Sequence, residues 1–228
     1  MPTSKPRPET PAKKRILLVD DHAMMRRGLM TVIEAELDLM VCAEVATRRA
    51  GLNAIVSSKP DLVIADLSLR DSDGVEIIKD IKQRFPDLPV LVLSMHDEAV
   101  YAERALRAGA RGYVSKQEID ETVLTAIRRV LAGDIHTSRA MSRQFIGKFI
   151  AGAAREKRNG LELLTDRELE VFNLIGRGRK NAEIARHMTV STKTIQAHKE
   201  HLKAKLRLSS TPELIRCAAV WVETGRMG

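Results

Sequence analysis

The chain is predicted to be an α/β protein: a doubly wound five-stranded parallel sheet, followed by a small all-α unit of four helices built around a helix-turn-helix. Three observations predict it. Between Arg15 and Ala132, short apolar runs, including RILLVD, DLVIAD, PVLVLS and GYVSK, alternate with amphipathic stretches of helical period, the pattern of repeated βα units. From Leu161 onward the periodicity is helical throughout. The charge is also divided: residues 13–137 hold 18 Lys and Arg against 20 acids, whereas 138–160 hold 6 against 1 and 161–228 hold 12 against 8. An acidic first unit and a basic second one suggest that only the second meets a polyanion.

The elements follow in order. Strands are expected at 15–20, 40–45, 61–66, 89–94 and 111–115, with helices near 22–37, 47–58, 73–85, 97–108 and 118–132 between and after them. Pro60-Asp61, Pro86-Asp87 and the Gly109, Gly112 pair punctuate the segments where helices stop. No Gly-rich phosphate loop follows the first strand, which argues against a dinucleotide or P-loop enzyme. Residues 135–160 contain a short apolar pattern (Met141, Phe145, Ile146, Phe149, Ile150) and then GAAREKRNG, read as a linker helix and a flexible tether. In the last unit, 161–228, Thr165-Asp166-Arg167-Glu168 is a capping box opening a helix to Ile175, with Gly176 and Gly178 closing it. A short helix 182–188, the turn TVS and a helix from Thr192 to Leu206 capped by Ser191 make the helix-turn-helix. The last helix, 212–222, is apolar nearly all round, with Thr211 as cap and Pro212 in its first turn.

The 228 residues, 44% hydrophobic and 30% charged, suit two compact globular units. No apolar stretch approaches the roughly 20 residues of a membrane span. Residues 1–12, MPTSKPRPETPA, are Pro-rich and lack the apolar core of a secretory signal; they are expected to form a disordered leader. Cys42 and Cys217 lie at unrelated positions in apolar surroundings, so both are expected to be core thiols of a reduced, cytoplasmic protein.

In an open parallel sheet, residues that follow the carboxyl ends of the strands gather in one crevice. Asp20 and Asp21, Asp66, Ser94 and Lys116 each stand at or just after a strand end. Singly, Asp21 and Ser94 read as helix caps and Lys116 as a surface lysine. Together, in this order, they predict a shared pocket of carboxylates and an ammonium. Hard oxygen donors in that number suit Mg²⁺, and a carboxylate beside such an ion can attack a phosphoryl group, with Asp66 the candidate nucleophile. Lys116 would neutralise a phosphoryl oxygen and the Ser94 hydroxyl would donate to another.

The stretches LLVDDH (17–22), DLVIADLSLRDSDGVE (61–76), LVLSMHDE (91–98) and ARGYVSK (110–116) resemble a response-regulator receiver domain, flavodoxin-like in fold, over residues 13–134. The resemblance implies Asp66 as phosphoacceptor, Mg²⁺ held by Asp20, Asp21, Asp66 and the Ser68 backbone carbonyl, Ser94 and Tyr113 as a switch pair, and Lys116 as the phosphate contact. Arg70 and Gln117 stand where that family commonly has proline. Without a ring to fix φ at position 70, the loop after Asp66 is expected to be less pre-set, altering phosphoryl lifetime rather than competence.

On the helix 192–206, Ile195, Leu202 and Leu206 share one stripe, with Lys193, Gln196, Ala197 and Glu200 opposite. Gln196 can pair with adenine, Ala197 can touch a thymine methyl, and Glu200 can accept from cytosine. Lys180, Lys193, Lys199 and Lys203 are phosphate candidates. Residues 164–208 resemble the LuxR-type DNA-binding domain of NarL/FixJ regulators, departing at Arg207, where glycine is usual, and at Lys180-Asn181. By that resemblance the last helix implies a homodimer contact, with Leu214, Ala218 and Trp221 as candidates.

The whole then reads as a two-component regulator. A sensor histidine kinase phosphorylates Asp66, and double-stranded DNA with paired half-sites is bound by the second unit. Two other readings stay open at this level. One is a phosphatase-like enzyme, opposed by the lack of a general base in the pocket apart from His22 and His96, both read as surface residues. The other is a module working by protein contact alone, without the steep salt dependence that phosphate contacts impose.

Overall fold

The computed structural model describes residues 12–69, 75–95, 98–116, 120–150 and 160–224. The chain divides into two units between Phe145 and Ile146. In the first, β1 (Lys14–Val19), β2 (Leu39–Val45), β3 (Leu62–Ala65), β4 (Val90–Ser94) and β5 (Gly112–Ser115) alternate with α1 (Ala23–Glu34), α2 (Arg48–Ser58), α3 (Glu76–Arg84), α4 (Glu98–Arg107) and α5 (Asp120–Leu131). The sheet order is β2-β1-β3-β4-β5 and every pairing is parallel. The continuous apolar runs become central strands because helices cover both faces: Ile16 to Val19, Leu62 to Ala65 and Val90 to Leu93 are all buried. The winding direction reverses between β1 and β3, which opens a crevice above their carboxyl ends.

Two details follow from side-chain chemistry. Thr47 caps α2 by accepting from the Ala50 N–H, whereas α1 stops at Glu34, short of residue 37. Cys42, expected in a core, is half-buried on the edge strand β2, where its Sγ donates to the Ile16 carbonyl at 3.3 Å; Cys217 is buried as expected.

Beyond α5 the chain returns to the sheet. His136 forms a parallel bridge with Gly112: its N–H donates to Arg111 O and its carbonyl accepts from the Tyr113 N–H, each at 2.9 Å. Glycine at 112 permits this approach, since a Cβ there would lie 2.8 Å from Leu91 Cδ1 and 3.0 Å from His136 O. Helix α6 (Arg139–Ile150) follows. The first part of the expected linker is therefore folded onto the first unit. The rest of the tether, 151–159, lies outside the described residues, as do the leader's residues 1–11 and the two departures Arg70 and Gln117.

The second unit comprises a 3-10 turn (Gly160–Leu163) and helices α7 (Asp166–Gly176), α8 (Asn181–His187), α9 (Thr192–Leu206) and α10 (Thr211–Thr224). The predicted capping box is present: Thr165 Oγ1 accepts from the Glu168 N–H and Glu168 Oε2 from the Thr165 N–H, at 3.2 and 2.8 Å. Ser191 caps α9 at 3.0 Å from the Thr194 N–H. At α10 the cap is Ser210 rather than Thr211, because Ser210 Oγ accepts from the Glu213 N–H and Thr211 is already helical. Gly176 does not close its helix by turning out of it. It lies within α7, where a Cβ would clash with the Ala218 carbonyl and sit 2.6 Å from Val222 Cγ2, so glycine lets α7 and α10 pack backbone to backbone.

Candidate functional site

The four strand ends deliver what the topology promised. Asp20 and Asp66 each follow the last residue of a strand, Ser94 is the last residue of β4, and Lys116 follows β5. All four are buried, Asp66 at 1% and Ser94 at 0% exposure. The Lys116 ammonium bridges two carboxylates, 2.6 Å from Asp66 Oδ2 and 2.7 Å from Asp20 Oδ2. Backbone bonds fix the partners: the Asp66 N–H donates to Val19 O and the Lys116 N–H to Ser94 O, so each side chain leaves its strand at a set height. The Ser68 N–H donates to Asp66 Oδ1 at 3.1 Å.

Burial pushes the Asp66 carboxyl above the ordinary carboxylate range; Lys116 opposes this and the Asp20 charge reinforces it. A carboxylate so placed is ionised at a cost that an added cation would offset. Asp20, Asp21, His22 and Asp66 each present a ligand atom within 4.8 Å of the others, a donor set dominated by carboxylate oxygens and able to hold a divalent ion. His22 was expected to be a plain surface residue. Its ring is largely exposed, yet Nδ1 lies 2.8 Å from Asp21 Oδ1 and 3.2 Å from Asp20 Oδ1. The signal was its place directly after the aspartate pair, where the chain turns toward α1. His96 lies outside the described residues. Tyr113 is buried at 1% exposure in β5, opposite Val92 of β4, two register positions before the pairing of Ser94 with Ser115.

In the second unit α8 and α9 cross through a turn whose Thr189 holds φ at 55°, a left-handed conformation costly for a β-branched residue. Lys193, Gln196, Ala197 and Glu200 are exposed on α9, on the side away from the buried Ile195 and Leu202. Gln196 Nε2 donates to Glu200 Oε1 at 3.1 Å and Lys203 Nζ pairs with Glu200 Oε2 at 2.9 Å, so base-reading and phosphate candidates form one polar strip. Lys180 is exposed just before α8. Lys199 does not join them: it is 8% exposed and its Nζ donates to Asn181 Oδ1 at 3.3 Å, tying α9 to the first turn of α8.

The three dimer candidates are also placed differently. Leu214, Ala218 and Trp221 are buried inside this unit, Trp221 against Phe172 with ring centroids 5.5 Å apart. Together with α9, helix α10 covers α7 and closes the core of this unit. The exposed side of α10 carries Ile215 and Arg216 instead.

Comparison with known proteins agrees with both halves. Residues 16–128 match the response regulator receiver domain, and residues 162–218 match the luxR family of bacterial regulatory proteins. The chain is 34% identical over 208 residues to the oxygen regulatory protein NreC of Staphylococcus aureus, covering 90% of this chain and 96% of that one. Among solved structures it is similar to RcsB of Salmonella enterica serovar Typhimurium bound to promoter rprA with the phosphomimetic BeF3− (TM-score 0.57, 27% identity, 90% of this chain and 97% of that one). It is also similar to a LuxR-family two-component response regulator from Aurantimonas (TM-score 0.57, 31% identity, 61% and 99%). The chain belongs to the NarL/FixJ family of two-component response regulators, DNA-binding transcription regulators that join a receiver domain to a luxR-type helix-turn-helix.

Proposed function

We propose that Asp66 is the residue on which this regulator is phosphorylated. The observation that carries the reading is the buried Asp66 carboxylate, bridged to Asp20 by the Lys116 ammonium at the one point where the sheet order reverses. An Asp66 carboxylate oxygen attacks the phosphorus of a phosphohistidine on a sensor kinase; the P–O bond forms, the P–N bond breaks, and its electron pair leaves with the imidazole. Lys116 is placed to follow the charge from the carboxylate to a phosphoryl oxygen, and the Ser94 hydroxyl is placed to donate to another. Mg²⁺ held by Asp20, Asp21, Asp66 and the Ser68 carbonyl would supply the remaining neutralisation of phosphoryl charge. We read the site as one that stores a phosphoryl group on Asp66, because its buried carboxylates are held by the Lys116 ammonium in the arrangement that a covalent aspartyl-phosphate needs.

The response is DNA binding by α9. Gln196, Ala197 and Glu200 face base edges in a major groove, while Lys193, Lys203 and Lys180 contact phosphates. A homodimer on paired half-sites would use the outer side of α10, around Ile215. Among the described residues no helix is long and apolar enough to cross a membrane, and we place the protein in the cytoplasm with its DNA. The test is incubation with a small-molecule phosphodonor and Mg²⁺, followed by peptide mapping. Label is expected on the peptide containing Asp66 and nowhere in Asp66→Asn. Equal labelling of the variant would overturn the assignment.

A further inference from the structure

Helix α6 carries the chain away from the receiver unit, and its start is capped by another helix. Ser138 is its N-cap: Ser138 Oγ accepts from the Met141 N–H at 3.2 Å and Ser138 O from the Ser142 N–H at 3.0 Å. In a capping box, the residue three places beyond the cap accepts from the cap's own N–H. This chain builds that contact locally with Glu168 for Thr165 and with Glu183 for Lys180. At α6 the equivalent position is Met141, apolar and 3% exposed, with no acceptor to offer. The Ser138 N–H donates instead to Glu98 Oε1 at 2.9 Å, across a sequence separation of 40.

Glu98 is the first residue of α4, shortly after Ser94 ends β4. The segment just before Ser138 is pinned to the backbone of β5 at Tyr113 through His136. The first turn of α6 is thus held from two sides, by the helix that follows Ser94 and by the strand that carries Tyr113. A cap supplied by a separate helix differs from a local one in that it depends on where that helix sits.

We propose that Glu98 is a latch that completes the cap of α6 only while α4 keeps its resting position. Phosphorylation of Asp66 draws the Ser94 hydroxyl toward the new phosphoryl oxygens, displaces α4 from its resting position and withdraws Glu98 from Ser138. The inference rests on the reading of Asp66 as phosphoacceptor. The Ser138 N–H then loses its partner and the first turn of α6 frays, which changes how the chain leaves the receiver.

Hydrogen exchange of the full-length protein over residues 137–143, with and without BeF3− and Mg²⁺, tests this. Removing a cap contact is expected to speed exchange of this turn roughly five-fold. Wild type should show that gain on adding BeF3−. Glu98→Ala should show it already at rest and gain nothing further, and Glu98→Gln, which keeps an acceptor oxygen, should lie nearer wild type. Unchanged exchange in resting Glu98→Ala would remove the latch, and equal wild-type exchange with bound BeF3− would remove the switch. BeF3− binding is followed separately by fluorine NMR, with Asp66→Asn as control. Its failure would count against the Asp66 reading and the switching step, leaving the Glu98→Ala comparison to decide the cap.

Discussion

The two units carry their chemistry in opposite ways. The receiver site is buried, and its side chains come from four strand ends far apart in sequence, held by backbone bonds such as Lys116 N–H to Ser94 O. The candidate DNA-binding strip is contiguous, a single face of α9 exposed from Lys193 to Glu200 and ending at the half-buried Lys203. A charged residue inside a protein needs a reason, because its burial costs several kcal/mol unless it is paired; a charged residue outside needs none. The buried site is therefore the more sharply defined of the two, and the exposed strip the more easily misread.

The sharpest test of that contrast is Lys116→Met. It leaves Asp20 and Asp66 buried without their bridging cation, and the receiver unit should lose about 3 kcal/mol in urea unfolding, with part restored by Mg²⁺. An unchanged midpoint would show that solvent reaches these carboxylates after all. Next comes Glu168→Ala, which removes the Thr165 cap contact together with the Lys205 pair at 2.6 Å; the second unit should lose about 2 kcal/mol.

The two buried acids should also respond to pH with opposite sign. Asp66 has a folded pKa raised by burial, so stability from holding its proton is present below the unfolded value near 3.8 and is lost as pH rises through the folded pKa. Asp66→Asn should then be more stable than wild type at neutral pH without Mg²⁺, the gap closing on acidification. For Glu168, burial raises the pKa, but the hydrogen bonds from Lys205 and the Thr165 N–H outweigh it and the net shift is downward. Its stabilisation is present above the unfolded value near 4.5 and lost as pH falls through the lowered folded pKa, so Glu168→Gln should lose its disadvantage only in acid. Parallel gaps for the two variants would break the contrast.

Lys199 and Lys193 probe the exposed strip. Lys193→Ala should reduce the slope of log affinity against log salt by about 1, whereas Lys199→Ala should leave that slope alone and instead loosen the α8–α9 contact with Asn181. The smallest effect concerns Arg207, held in the left-handed region at φ 56°. Arg207→Gly should stabilise the second unit by about 1 kcal/mol.

Much of this was legible in the sequence because each element carried its own signature. The strands showed as apolar runs, and Asp20, Asp66, Ser94 and Lys116 showed as polar residues closing them. The helix α9, its cap Ser191 and the Thr165 capping box were found at their observed positions. What was not legible depended on contacts between elements. Periodicity showed that Lys199 and Trp221 lay on helices but could not say that Asn181 and Phe172 would cover them. His22 is a surface residue, as read, but its Nδ1 comes beside the aspartates only through the turn after β1, and the cap on α6 could not be foreseen because its acceptor lies on α4.

The most direct test of the link between the two regions is the affinity of the full-length protein for its selected DNA site, at one fixed salt concentration, with and without a phosphodonor and Mg²⁺. Wild type should bind more tightly with the phosphodonor, and Asp66→Asn should bind alike in both conditions. Equal affinities for wild type in the two conditions, or an increase that survives in Asp66→Asn, would contradict the control of the exposed helix by the buried carboxylate.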